Sequence, residues 1–264
     1  MENTKTSENL NVAVKYSGFD TLKEALDSHS AWLLDEGDGK RADFNGMNLS
    51  KVDLSKLNLN RMSFKNADLS CANLSQANLE CVDFGDTNLD SANLSFANLN
   101  SAILRGANLS GTNLSNANLK FADLSGARFI HANLKNVNLG YADLRGANFA
   151  NANLIEADLS HAKLQYADFQ WANLYGANLS DAKLEYGLAW WRYLEDVVPA
   201  LCVAGGKSLE EVTAVWDWQS WENYPMHVAF GVNSDDEIPV LYQFEARRFN
   251  MFFNQGLIPR PVVE

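Results

Sequence analysis

The side chains of this chain that could carry acid–base, nucleophilic or metal chemistry are few and poorly placed for it. There are four histidines (His29, His131, His161, His227) and three cysteines (Cys71, Cys81, Cys202). No histidine stands at a metal-ligand spacing from another histidine or from a cysteine. Gly205-Gly206-Lys207-Ser208 ends like a phosphate-binding loop but lacks its first glycine and a preceding strand. Ser208 reads instead as a helix cap. No serine or cysteine lies in a motif that marks a nucleophile. The aspartates recur at fixed intervals, which is the mark of a repeated corner. The sequence therefore predicts no enzyme, and no metal or cofactor.

The regular aspartates lead back to the element that carries them. From Phe44 to Leu184 every fifth residue is Leu or Phe, 29 times without a break. With that residue as position i, position i−2 is Ala in 21 units, and i−1 is Asn in 16 and Asp in eight. Residues two apart on an extended chain point the same way, so i−2 and i face one side together. A strict period of five gives no single helical face. It does fit short extended segments joined by turns, stacked as the coils of a solenoid. Asn and Asp at i−1 suit side-chain-to-backbone hydrogen bonds at the corners.

The phenylalanines set the number of sides. At position i they fall at Phe44, Phe64 and Phe84, and at Phe129, Phe149 and Phe169, always 20 apart within a set. Large rings in a narrow core stack on one another, because packing is sensitive to single methylenes. Four pentapeptides per coil follow, with two internal Phe columns and otherwise Leu columns. The rod has about seven coils and a length of roughly 35 Å.

The run Ala67-Asp68-Leu69-Ser70-Cys71-Ala72-Asn73-Leu74-Ser75 and its successors resemble the pentapeptide-repeat family, and the resemblance spans residues 42–186. It implies an all-β solenoid, a right-handed quadrilateral β-helix; the hand comes from the resemblance alone. The flanks, Trp32-Leu33-Leu34 through Arg41 and Trp221-Glu222-Asn223-Tyr224-Pro225-Met226 through Gly256-Leu257-Ile258-Pro259, resemble those of uncharacterised phage and prophage members. That implies a role in the cytoplasm of a bacterial host.

Residues 1–41 form an N-terminal segment with a helix from about Thr21 to Leu34. Thr21 and Glu24 make a capping box, Leu22, Leu26, His29 and Leu33 mark one face, and Gly37 or Gly39 ends it. Bulky residues at i−2 in the opening coil (Met47, Val52, Leu57, Met62) are expected where this helix covers the exposed end. Residues 187–264 change composition sharply. They hold five of the seven tryptophans and all five prolines. Helices are predicted from Ser208 with Glu211, from Asn223-Tyr224-Pro225, and around Ala246, Phe249, Phe252 and Phe253 up to Gly256. This is a mainly helical module.

No run approaches 18 apolar residues, so no membrane span is predicted, and no apolar run near the start marks a secretory signal. Cys71 and Cys81 fall on opposite faces of one coil, which argues against a disulfide and for a cytosolic chain.

With chemistry excluded, binding remains. The net charge is −12, and some drug-protective members of the family are acidic rods shaped like a DNA duplex that bind DNA gyrase. Residues 42–186 carry 14 acids and 11 bases, whereas residues 187–264 carry 11 and 5, so the excess lies in the tail rather than along the rod. Between Asn66 and Leu104, however, there are five acids and no base. The 20-residue register places Asp68, Asp83, Asp86 and Asp90 around two adjacent faces, either as a local negative patch or as ordinary solvated positions. The same register stacks Phe121, Tyr141 and His161 at outward position i+2, with Trp171 near the last coils and Trp190 and Trp191 just beyond. The tail covers this aromatic surface, or the surface meets a partner or a second copy of the chain. The resemblance adds that family members often dimerise through their C-terminal ends. Two functions are therefore expected of a protein-binding protein: partial DNA mimicry toward a DNA-handling enzyme such as a type II topoisomerase, or a scaffold read through its aromatic C-terminal module. Direct nucleic-acid binding is not expected, because the tail is acidic and the coil is basic only in its first turns.

Overall fold

In the computed structural model the described residues are 19–35, 37–183, 205–206 and 237–239. The predicted C-terminal helices, Trp190, Trp191, Cys202 and the boundary at residue 187 lie outside them.

Residues 43–183 form a four-sided solenoid. Each bridge between coils is parallel and joins residues 20 apart, from Asp43–Ser63 to Lys163–Lys183. Each side is one pentapeptide. The chain is extended at i−1 and turns over i+1 and i+2. The N–H of the residue after the turn donates to the carbonyl of the Leu or Phe before it, as from Met47 to Phe44 at 3.1 Å. Position i+2 has a positive φ on every side, as at Lys51 (62°), Cys81 (55°) and Tyr141 (61°). A positive φ at only the second central residue is the signature of a type II turn. It is a costly place for a residue with a Cβ, of order 1–2 kcal/mol. It persists because the same residue donates to the next coil, as Lys51 N does to Ser70 O at 2.8 Å.

Four of the five N–H groups of a unit are thus engaged by main chain: those at i−1, i and i+2 bond a neighbouring coil, and the fourth closes the turn. The N–H at i+1 finds a side chain wherever i−1 is Asn or Asp. Every Asn and Asp at i−1, from Asp43 to Asn178, accepts it through Oδ1, as Asn113 accepts Ser115 N at 3.2 Å. Where Ser63 replaces the amide, Asn45 Oδ1 of the coil before receives Lys65 N instead, at 2.8 Å. The amide Nδ2 then reaches back one coil, so that Asn93, Asn113, Asn133 and Asn153 form a hydrogen-bonded ladder.

The interior is closed by apolar side chains. The i−2 alanines and the Leu and Phe at i are almost wholly buried. Phe44, Phe64 and Phe84 stack at 5.3 Å, and Phe129, Phe149 and Phe169 at 4.7 and 4.8 Å, as their 20-residue spacing requires. Two threonines inside the coil are satisfied locally: Thr87 Oγ1 donates to Phe64 O, and Thr112 Oγ1 to Leu109 O. Ile238, from the tail, is buried in the same hydrophobic cluster.

Helix α1, Leu22–Leu33, covers the first coil. Its capping box is as predicted: Glu24 N donates to Thr21 Oγ1, and Thr21 N to Glu24 Oε2, both at 3.2 Å. Its buried side is Leu22, Ala25 and His29, while Leu26 and Leu33 are only half-buried. The helix stops before either glycine. Leu34 is the C-cap, and Asp35 and Gly37 beyond it both take the left-handed conformation, each with a φ of 56°. Gly39 has another role: a Cβ there would strike the backbone of Trp32, so its lack of one lets the chain pass tightly under the helix end. No helix among the described residues is long and apolar enough to cross a membrane.

His29 fastens α1 to the coil. Its Nδ1 accepts from Ala42 N at 3.1 Å, so the proton lies on Nε2, which donates to Asn60 O at 2.9 Å. The ring also stacks on Trp32. Burial pushes its pKa below the ordinary 6.5; the bond to Asn60 opposes this and the charge of Arg41 adds to it. The neutral ring is the one that fits, so the folded chain binds fewer protons than the unfolded chain below that value. The contribution of His29 is complete above pH 6.5 and is lost as pH falls from there through the lowered folded value. Amide signals of residues 22–33 should therefore broaden or shift on acidification while those of the central coils hold, and His29→Ala should produce the same change at neutral pH. Asn113→Ala should cost about 1–3 kcal/mol in denaturant unfolding, because Ser115 N–H and Asn133 Nδ2 lose their acceptor. Asn113→Asp, which keeps Oδ1, should cost less.

Candidate functional site

The fold places the four predicted aspartates on two adjacent sides, Asp83 and Asp86 on one and Asp68 and Asp90 on the next. Two of them have structural duties. Asp68 Oδ1 accepts Ser70 N and Asn88 Nδ2, both at 3.0 Å, and Asp83 Oδ1 accepts Gly85 N at 2.9 Å. The hydrogen bonds from Ser70 and Asn88 outweigh burial and hold the Asp68 carboxyl below its ordinary range. Asp90 accepts Ser91 Oγ.

The stretch that is free of bases in sequence is not free of them in space. Residues 20 apart are neighbours, and so Lys65 and Arg105, which bracket the acidic run, close over Asp83 and Asp86 from the coils on either side. Together with Ile103 and Ser125 they line a shallow groove of about 590 Å³. Its floor is opened by Gly85, Gly106 and Gly126. The stem of Lys65 lies along Gly85, and the carboxylate of Asp86 lies over Gly106. The surface is mixed in charge.

This side differs from the other three in a way that the pentapeptide period hides and the 20-residue register reveals. Its i−1 column reads Asp43, Ser63, Asp83, Ile103, Asp123, Asp143, Lys163, Lys183, with no asparagine, whereas all 16 asparagines at i−1 belong to the other columns. Ion pairs stand where the amide ladder would. Arg145 grips Asp143 through two nitrogens, each at 2.7 Å, Lys163 reaches the same carboxylate at 3.3 Å, and Arg105 Nε lies 3.5 Å from Asp123. Burial would raise the Asp143 pKa, but the bonds from Arg145 and Lys163 prevail and lower it.

The aromatic prediction divides. Phe121, Tyr141 and His161 do form one outward ladder. The Phe121 and Tyr141 ring centroids are 5.2 Å apart, and those of Tyr141 and His161 4.4 Å. Phe121 is 53% and Tyr141 47% exposed. Lys120 Nζ sits 5.1 Å from the Phe121 centroid and 5.5 Å from that of Tyr141, a cation over two rings. His161 Nδ1 is 3.7 Å from Asp181 Oδ2. Trp171 does not join this ladder. Ten residues from His161 is half a coil, which places it on the opposite corner, where it is 73% exposed. Tyr166 and Tyr175 are exposed on other sides of the same region. Phe96 and Ile103 are exposed apolar residues that the sequence reading passed over; their outward positions, i+2 and i−1, were the available signal. Cys71 and Cys81 are free and exposed, on opposite corners as expected. Among the described residues no His, Cys, Asp and Glu cluster could hold a metal ion.

Comparison with known proteins identifies one family. A family model of pentapeptide repeats matches residues 102–140 and 142–181 with eight copies, and a pentapeptide repeat region model matches residues 38–114. Together they cover more than half of the chain, from residue 38 to residue 181. No curated protein matches. Among solved structures, a pentapeptide repeat protein of the Arabidopsis thaliana thylakoid lumen is 35% identical over 39% of this chain and 71% of its own, with a TM-score of 0.38. HetL, involved in heterocyst differentiation regulation in the cyanobacterium Nostoc, is 25% identical over 56% and 90%, with a TM-score of 0.18. QnrB1, a plasmid-mediated fluoroquinolone resistance protein, is 17% identical over 55% and 92%, with a TM-score of 0.23. The chain belongs to the pentapeptide-repeat family.

Proposed function

We propose that this chain is a non-enzymatic, protein-binding rod whose contact surface is the aromatic corner Phe121–Tyr141–His161. The observation that carries the reading is a set of stacked rings, about half exposed, on a backbone whose every turn is hydrogen-bonded to its neighbours. Such a surface is ordered before it meets a partner, so little side-chain entropy remains to be lost on binding. Aromatic anchors of this kind dominate binding energy in protein interfaces. Binding rather than catalysis is also supported by the engagement of the i−1 carboxylates with backbone N–H groups, which leaves them poor general bases. The aromatic C-terminal module would extend the contact in an adaptor role.

A second reading is partial DNA mimicry toward a DNA-handling enzyme such as a type II topoisomerase. Asp83 and Asp86 beside Asp68 and Asp90 favour it. Lys65 and Arg105 among them weigh against it, because a phosphate-like surface needs unmixed negative charge.

Capture of partners from bacterial lysate with the tagged full chain, identified by mass spectrometry at low and high salt, separates the two. The first reading expects a partner that survives high salt and is lost at least tenfold in Phe121→Ala/Tyr141→Ala. The second expects a DNA-handling partner that is released by salt and by changing Asp68, Asp83, Asp86 and Asp90 to Asn. Those amides keep the Oδ1 acceptors of the turns, so the rod stays folded. Retention by the aromatic variant with loss in the Asn variant would overturn the first reading in favour of the second.

A further inference from the structure

The aromatic corner contains its own template for what it binds. Lys120, at position i+1, lays its ammonium over the Phe121 and Tyr141 rings, which shows that this column of π faces holds a cation. One coil further on, the same position is Gly140. It supplies no side chain to the next ring pair, Tyr141 and His161, whose centroids are only 4.4 Å apart. The place where the missing side chain would start is rimmed by oxygen. A Cβ on Gly140 would stand 3.2 Å from Asn138 Oδ1, 3.5 Å from Asp158 Oδ2 and 3.5 Å from Ser160 Oγ. Asp158 Oδ1 is occupied, accepting Ser160 N and Asn178 Nδ2, which leaves Oδ2 to face the gap. Asp181, next to His161, adds a second carboxylate to the same corner.

Resting on the reading of this corner as a protein-binding surface, we propose that the gap over Gly140 receives an arginine or lysine side chain of the partner. That cation takes against Tyr141 and His161 the position that Lys120 takes against Phe121 and Tyr141. Three features meet there: a π stack that already holds an ammonium one coil away, an oxygen rim with a free carboxylate oxygen, and a residue without a side chain. A planar guanidinium stacking on Tyr141 while donating to Asp158 Oδ2 uses all three.

The test uses the full chain and a defined probe. N-acetyl-arginine amide is titrated while the ring and amide signals of Tyr141, His161 and Gly140 are followed by NMR, with the neutral citrulline analogue as control. Saturable shifts confined to this corner, produced by the arginine compound and not by the citrulline one, are expected. Asp158→Asn, which keeps Oδ1 for the turn, should weaken them severalfold. Gly140→Lys should abolish them by filling the gap from within. Gly140 does not have a positive φ and its nearest neighbour is a side-chain oxygen, so a side chain is sterically admissible there. Equal shifts with both compounds, none with either, or shifts unchanged in Gly140→Lys would overturn the proposal. Its failure is separable from that of the interface itself. A partner still lost in Phe121→Ala/Tyr141→Ala but retained in Gly140→Lys would leave the aromatic surface standing and remove only the cation.

Discussion

One backbone N–H per pentapeptide decides this structure. Four of the five donors of each unit find carbonyls in the turn or in a neighbouring coil through main-chain geometry alone. The fifth, at i+1, lies on the outside of a tight turn and is met by the side chain at i−1, or, where Ser63 stands there, by Asn45 of the neighbouring coil. An Asn or Asp there accepts it through Oδ1 and, when it is Asn, still has Nδ2 to bond the coil before. A buried or half-buried N–H without a partner costs as much as several methylenes of core. The Asn and Asp at i−1, present in 24 of the 29 units, therefore serve the coil and are not a surface decoration, which explains why so many carboxylates imply so little chemistry.

The same constraint sorts the surface into positions that serve the fold and positions that are free. Positions i−2 and i fill the core, and i−1 serves the turn. Positions i+1 and i+2 are the least bound to the coil, Asn45 apart, and there Lys120, Phe121, Tyr141, His161 and Trp171 appear. Because residues 20 apart lie one coil apart, whatever occupies these positions becomes a straight row of side chains on a rigid support. The one side that abandons asparagine at i−1 has the pairs Lys163–Asp143 and Arg105–Asp123 between coils, and Arg145–Asp143 within one turn. Exposed pairs of this kind contribute little to stability, typically under about 1 kcal/mol each.

An open solenoid end presents unpaired edges, and α1 resolves this at the N-terminal end in a particular manner. Leu22 and Ala25 extend the apolar column, while His29 bonds Ala42 N and Asn60 O, groups that the coil itself leaves without partners. The seal is therefore partly polar and depends on a neutral imidazole. Ile238, buried in the same hydrophobic cluster, shows that part of the tail reaches the core.

The sequence by itself determined the four-sided coil. An unbroken period of five sets the unit, and rings spaced by 20 can share a column only if four units close a coil. The capping box of α1 and the stack of Phe121, Tyr141 and His161 were legible for the same reason, since each follows from spacing along the chain. The left-handed conformation at i+2 was written less openly, though six of the eight coil glycines stand there. Tertiary structure decided the character of the surfaces. Lys65 and Arg105 lie outside the acidic run yet beside Asp83 and Asp86, because contact in a solenoid is set by the coil and not by sequence distance. The ring nitrogens of His29 found their partners 13 and 31 residues away, which no local pattern could reveal. Local hydrogen-bond geometry is periodic and can be read from one strand of text; neighbourhood across coils exists only once the chain has closed.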